Sequence, residues 1–165
     1  WDRKEIEETT RRIAVAAIQY GMLSQDPQKQ ITFVMKDWLA SEGDTGTYLI
    51  YAYARIQSIL RQVKEIPEIA PEFNLLTTPQ EAALLLSMGS FNEVVLKTGE
   101  QQKPSLLTRY LYEMARYFSR AYQECPILKA ETEVLRQSRR MLFKTVGITL
   151  KQGLFLLGIT PPERM

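Results

Sequence analysis

Asp44-Thr45-Gly46-Thr47-Tyr48-Leu49-Ile50-Tyr51-Ala52-Tyr53-Ala54-Arg55-Ile56-Gln57-Ser58-Ile59-Leu60-Arg61 is the stretch from which the fold is read. Leu49, Ala52, Ile56, Ile59 with Leu60, and Val63 recur at spacings of three and four, the period of a helix that buries one face. About 100° around the same axis runs a second stripe of Tyr48, Tyr51 and Arg55, two rings and a guanidinium at i, i+3 and i+7. Two readings of that stripe stand side by side. The tyrosines can be half-buried core with wet hydroxyls and Arg55 an ordinary surface charge. Alternatively, rings beside an arginine form a platform on which unpaired RNA bases stack.

Composition narrows the classes. The chain has 165 residues, 45% of them hydrophobic and 24% charged, enough for one domain with an appendage. There is no long apolar run and no secretory leader pattern, so neither membrane insertion nor export is indicated, and the cytoplasm is the expected location. Cys125 is the single cysteine and there is no histidine. That combination excludes an internal disulfide, His-based acid–base catalysis and a Cys-His nucleophile, and leaves no zinc site. Cys125 is expected as a small buried hydrophobe. A net charge of +2 says little about nucleic acid, but its distribution says more. Residues 1–48 carry six basic and eight acidic side chains, whereas 122–165 carry seven basic and four acidic.

Outward from the central helix, Glu5 to Leu23 reads as an amphipathic helix with Ile6, Thr10, Ile13, Ala17 and Tyr20 on one side. Beginning at Trp1, directly in a helix, suits a segment excised from a longer chain. Ser24-Gln25-Asp26-Pro27 is turn chemistry, and the alternation of Ile31, Phe33 and Met35 suggests a short extended segment. Asp44 or Thr45 can cap the central helix, and the Ser41–Thr47 loop either only turns the chain or contributes to a binding surface. Pro67 and Pro71 mark a linker. Thr78-Pro79-Gln80-Glu81 opens a helix with a break at Gly89. Pro104 starts another, with Leu107, Leu111, Met114, Phe118 and Ala121/Tyr122 inward and Arg109 supporting Glu113 on the polar side. A last helix over about 131–157 turns Leu135, Met141/Leu142, Val146, Thr149, Gly153, Leu156 and Leu157 inward, and Arg136, Arg139, Arg140, Lys144 and Lys151 outward. Gly158 and the Pro161-Pro162 pair end it. The expected fold is all-α, a bundle of five or six helices.

The segment from Ser41 to Ile59 resembles the Ser-Phe-Glu-Gly-(Asn/Asp)-Thr-(Ala/Gly)-Pro-Tyr-Leu-Gln-Tyr-Ala-(Tyr/His)-(Ala/Ser)-Arg segment of the arginyl-tRNA synthetase family, with Thr47 for the usual Pro and Ile50 for the usual Gln. Tyr122-Gln123-Glu124-Cys125-Pro126-Ile127-Leu128 is similar to that family's Phe-Tyr-x-x-Cys-Pro-(Val/Ile)-Leu loop. Leu157 to Met165 is similar to its Leu-Gly-(Ile/Leu)-x-x-(Pro)-x-Glu-Arg-Met terminus, and Tyr20 to Lys29 to its Tyr-x-x-Leu-Ser-x-x-x-x-Lys segment.

The resemblance implies the carboxyl-terminal, helical anticodon-binding part of a class I arginine-tRNA ligase. Residues 1–40 would be a connecting helix and extended segment from the end of the catalytic part, and 41–165 the anticodon-binding domain. The partner would be tRNA(Arg), with Tyr48, Tyr51, Arg55, Tyr122 and a returning Met165 at the anticodon bases, and Arg136, Arg139 and Arg140 offering charge to the backbone. ATP and magnesium would serve a parent enzyme, expected as a monomer. This chain shows no phosphate loop, no His-Ile-Gly-His and no Lys-Met-Ser-Lys, so no catalytic residue and no cofactor is assigned to it. A helical module that takes a partner helix in a groove is the alternative.

Overall fold

The computed structural model describes residues 1–26, 28, 30–63 and 69–165, and among them every regular element is helical. α1 spans Arg3–Leu23, α2 Met35–Trp38, α3 Gly46–Gln62, α4 Pro79–Gly89, α5 Phe91–Gln101, α6 Pro104–Glu124 and α7 Glu133–Leu156. Single 3-10 turns cover Phe73–Leu75 and Ile127–Lys129.

The helix starts follow from local chemistry. Asp2 and Glu5 form a reciprocal capping box on α1, and Thr78 and Glu81 do the same on α4, where Pro79 takes the first position. Thr45 Oγ1 accepts from the backbone N–H of Tyr48 and donates to the carbonyl of Ala40, fixing both the start of α3 and the loop before it. Thr132 caps α7.

α3 lies against α1, α6 and α7, while α4 and α5 cover the other side of α6. Leu49, Ala52, Ile56, Ile59 and Val63 are all buried as their spacing predicts, and Ile50, Tyr53 and Ala54 are buried beside them. α3 is thus a core helix on more than one side. It meets Leu111, Met114 and Phe118 of α6 and Leu142, Phe143, Val146 and Leu150 of α7 in one apolar cluster. Each such side chain contributes about 1.5–3 kcal/mol on burial. Phe118 and Phe143 meet edge to face at 5.2 Å.

α1 approaches α3 closely because residue 46 has no side chain. A Cβ there would stand 2.2 Å from the carbonyl oxygen of Ala16. Tyr20 then donates from its hydroxyl toward the Asp44 carboxylate and the Thr108 carbonyl, tying α1 to the loop before α3 and to α6.

Several expectations need correction. Seven α-helices are present among the described residues rather than five or six, because Ser90 both ends α4 and begins α5, and because Met35–Trp38 closes a helical turn. The alternation at Ile31, Phe33 and Met35 forms no strand: no second strand is present among the described residues to take its hydrogen bonds, and Trp38 seats its ring on Gly21 instead. In α7 the buried residues near the end are Leu150, Gly153 and Leu154, whereas Leu156 is exposed. On α6, Ala121 is buried and Tyr122 exposed, and Glu113 pairs with Arg116 rather than Arg109. Ile6 is exposed because only the second half of α1, at Ala16, Ala17 and Tyr20, is buried in the domain. Cys125 is buried as expected. Pro27 of the first turn, Lys29 of the Tyr20–Lys29 match and Pro67 of the linker lie outside the described residues.

Candidate nucleic-acid interface

Three segments distant in sequence converge beside the outer face of α3. Tyr51 stands on that face, Tyr122 at the end of α6, and the tail after α7 returns to them. Gly158, with φ at +74°, lets the chain reverse. Ile159, Pro161 and Pro162 are buried, so the return path is fixed by packing. Glu163 then anchors the tail. Its Oε1 accepts from the Tyr53 hydroxyl at 2.8 Å and from Lys151 Nζ at 3.3 Å, and its backbone carbonyl accepts from Arg61 at 3.1 Å. Arg164 lies over the Trp1 ring, 5.0 Å from its centroid.

The result is a cleft of about 380 Å³ lined by Trp1, Tyr51, Arg55, Tyr122, Arg164 and Met165, among others. Tyr51 is 39% exposed, Tyr122 37% and Met165 43%, so all three present surface to solvent. The Arg55 guanidinium sits 4.8 Å from the Tyr51 ring centroid and 5.3 Å from that of Tyr122, and donates to the Tyr51 hydroxyl at 2.7 Å. Tyr122 is backed by Phe118 at 6.2 Å, a nearly parallel pair, which limits where its ring can go. Rings held in this way, with a cation and a thioether beside them, suit flat, polarizable, electron-rich groups.

Four of the five residues singled out in the sequence therefore meet in one cleft, and Tyr48 does not. One turn earlier on α3 the neighbouring helix is close, and Tyr48 shares a hydrogen bond with Ser119 Oγ at 3.1 Å and sets its ring edge against Tyr112 at 5.7 Å. It is partly buried against the core. At this position half-buried packing is what the structure shows.

The three arginines of α7 separate as well. Arg139 is not outward: its side chain is only 12% exposed and pairs at 2.7 Å with Glu81, itself 1% exposed. The pair links α7 to the capping box of α4. Arg136 is held by Glu133 on its own helix. Arg140 donates to Gln137 and lines a second depression with Arg61, Lys144 and Lys151.

Burial, and after it the Glu163 carboxylate, raises the Tyr53 hydroxyl above the ordinary tyrosine pKa, and hydrogen bonding to Tyr53 and Glu163 raises Lys151. Tyr53 thus stays a neutral phenol and Lys151 a cation at neutral pH. The sequence reading left Tyr53 and Glu163 without a role. The signal for the cationic set was present in the spacing of Arg140, Lys144 and Lys151 at i, i+4 and i+11, one face of a helix. No group of three or more His, Cys, Asp or Glu converges among the described residues.

Residues 49–165 match the DALR anticodon binding domain. The chain belongs to that family. Arginine–tRNA ligase of Stutzerimonas stutzeri is 42% identical to this DALR chain over 165 residues, covering 99% of the chain and 28% of the relative. The ligase of Bdellovibrio bacteriovorus is 38% identical over 100% of the chain and again 28% of the relative. Among solved structures, arginyl-tRNA synthetase of Thermus thermophilus superposes with a TM-score of 0.87 at 39% identity, over 96% of the DALR chain and 28% of that structure. The Plasmodium falciparum arginyl-tRNA synthetase superposes with a TM-score of 0.81 at 26% identity, over 97% and 28% respectively. The chain therefore spans 28% of the length of these relatives. No helix among the described residues is long and apolar enough to cross a membrane.

Proposed function

We propose that this chain reads the anticodon loop of tRNA(Arg) as the anticodon-binding part of an arginine-tRNA ligase acting in the cytoplasm. The observation that carries the reading is the convergence of Tyr51, Tyr122, Arg55 and Met165 in one cleft, from α3, α6 and the returning tail. Unpaired bases stack on the two rings, and the guanidinium of Arg55 offers planar N–H donors to base edges. Met165 supplies an adaptable apolar contact at the mouth. Tyr48 supports the site from behind by holding α3 to α6, and carries no base itself. Attachment of arginine, with ATP and magnesium, belongs to the part of the relatives that this chain does not span.

Base–aromatic stacking contributes roughly 1–3 kcal/mol per base. Tyr51→Ala should therefore weaken binding of an arginine anticodon stem-loop by about 5- to 150-fold, and lower its preference over a non-arginine loop, without unfolding the domain. Titration of both loops with wild type and variant at two salt concentrations tests this. Equal affinity for the two loops in the wild type defeats the proposal. Affinity indifferent to salt would favour a groove for a partner helix instead.

A further inference from the structure

α3 and α7 pack closely at Gly147, where a Cβ would stand 3.0 Å from Ile56 Cγ2. Beside that contact, residues of the two helices line a trough of about 550 Å³, larger than the aromatic cleft. Arg61 projects into it from α3, and Arg140, Lys144 and Lys151 from α7. One carboxylate lines it among the described residues, that of Glu163, and it is already engaged by Tyr53 and Lys151. Arg140 has the neutral Gln137 amide as its hydrogen-bond partner, and Lys144 is exposed.

We propose that this trough is a second nucleic-acid site, which holds the phosphodiester backbone of the RNA strand whose unpaired bases enter the Tyr51–Tyr122 cleft. Three features of the trough point to a strand of phosphates. Arg140 to Lys151 extends over about 16 Å of helix at 1.5 Å per residue, long enough to face more than one phosphate of an RNA strand. Arg61 lines both the trough and the aromatic cleft, so the two adjoin at that residue. The tail divides them, with Glu163 facing the trough and Arg164 the cleft. A strand passing over the tail would set bases on one side and backbone on the other. The cations act on every sequence alike, so the trough supplies affinity and orientation while the cleft supplies discrimination.

The inference rests on the proposed anticodon-binding role, and its test separates the two. The 165-residue chain is titrated with labelled arginine and non-arginine anticodon stem-loops over a range of salt, as wild type, as Arg140→Gln/Lys144→Gln and as Tyr51→Ala. The double variant leaves the Tyr53–Glu163–Lys151–Arg61 anchor intact. It should bind both loops about tenfold more weakly at low salt, keep their affinity ratio, and lose about 1.4–1.8 from the slope of log affinity against log salt, the loss of two phosphate contacts. Lys144→Gln alone, an exposed change, should lose about half as much. Tyr51→Ala should do the converse, losing the ratio and keeping the slope. An unchanged slope in both charge variants overturns the trough alone. A flattened slope with discrimination unaffected by Tyr51→Ala keeps the trough and removes the base cleft. Absence of any RNA binding by the wild-type chain overturns both.

Discussion

Tyr53, on the inward side of α3, donates its hydroxyl hydrogen to Oε1 of Glu163, 110 residues later, at 2.8 Å. A core helix thereby sets the position of the chain's last residues. Arg61 and Lys151 complete the anchor, and Met165 reaches the aromatic cleft as a consequence.

Glu163→Ala should release the tail without unfolding the domain. The Lys151–Glu163 pair is exposed and worth at most about 1 kcal/mol, and the Tyr53 hydrogen bond contributes a similar amount. Global stability to urea should therefore fall by less than about 2 kcal/mol. Carboxypeptidase should remove Met165 much faster from the variant than from the wild type, and stem-loop binding should weaken. Unchanged digestion would mean that Pro161 and Pro162 alone hold the tail.

Arg139 and Glu81 predict the opposite balance, a loss of stability with little effect on RNA. Removing one member of a buried ion pair strands the other charge, at about 3–5 kcal/mol. Arg139→Leu should shift the urea midpoint down accordingly while leaving the salt dependence of RNA binding as it is. Adding Glu81→Leu should recover part of the loss, because the uncompensated carboxylate is then gone, although the α4 capping box goes with it. A reduced salt slope in Arg139→Leu would return this residue to the RNA surface.

The difference between these two cases also marks what the sequence could disclose. Periodicity located the buried stripe of α3, because one apolar face repeating every three or four residues has few ways to be satisfied. Residue type placed the cap at Thr78 and narrowed that of α3 to Asp44 or Thr45, of which Thr45 is the one used, because capping chemistry is local. Periodicity could not separate Arg139 from Arg140, adjacent residues about 100° apart on a helix whose partners come from elsewhere. Which arginine is buried depends on Glu81, 58 residues away. Tyr48 and Tyr51 parted for the same kind of reason, since the body of α6 packs against one and only its last turn, with Tyr122, comes near the other. Met165 was placed by resemblance of the Glu-Arg-Met ending, and the anchor that brings it back, Tyr53, had no role in the spacing because its partner Glu163 lies 110 residues away.

Alkaline pH should destabilise the fold through its buried tyrosines. Burial raises Tyr110 to about 12, and raises Tyr20 further with help from the Asp44 carboxylate. Both are neutral when folded, while unfolding lets them ionise near 10. Their stabilising contribution is complete below pH 10 and is lost as pH rises from there through the folded values. Lys151, also raised, acts with the same sign. The melting temperature should be nearly level between about pH 7 and 9 and fall steeply between about pH 10 and 12. Tyr110→Phe should lessen the fall, at the cost near neutrality of the hydrogen bond from its hydroxyl to the Ser87 carbonyl, 2.7 Å long. A pH profile identical in wild type and variant would mean that Tyr110 titrates equally in both states.

Arg55 poses the sharpest question about the cleft, because its guanidinium already lies over the two rings that unpaired bases would use. Such a cation–π contact contributes about 0.5–1 kcal/mol at a site this open. A base worth roughly 1–3 kcal/mol in stacking can displace it or stack upon it. In either case the plane and the fork of donors matter, not the charge alone. Arg55→Lys keeps the charge and removes both. It should therefore leave the salt slope of stem-loop binding unchanged, weaken the arginine loop by about 5- to 30-fold, an effect of about 1–2 kcal/mol, and weaken a non-arginine loop less. Arg55→Ala should add to this a loss of about 0.7–0.9 in the salt slope if the guanidinium also neutralises a phosphate. Wild-type discrimination in Arg55→Lys would reduce Arg55 to a point charge and leave recognition to the rings of Tyr51 and Tyr122.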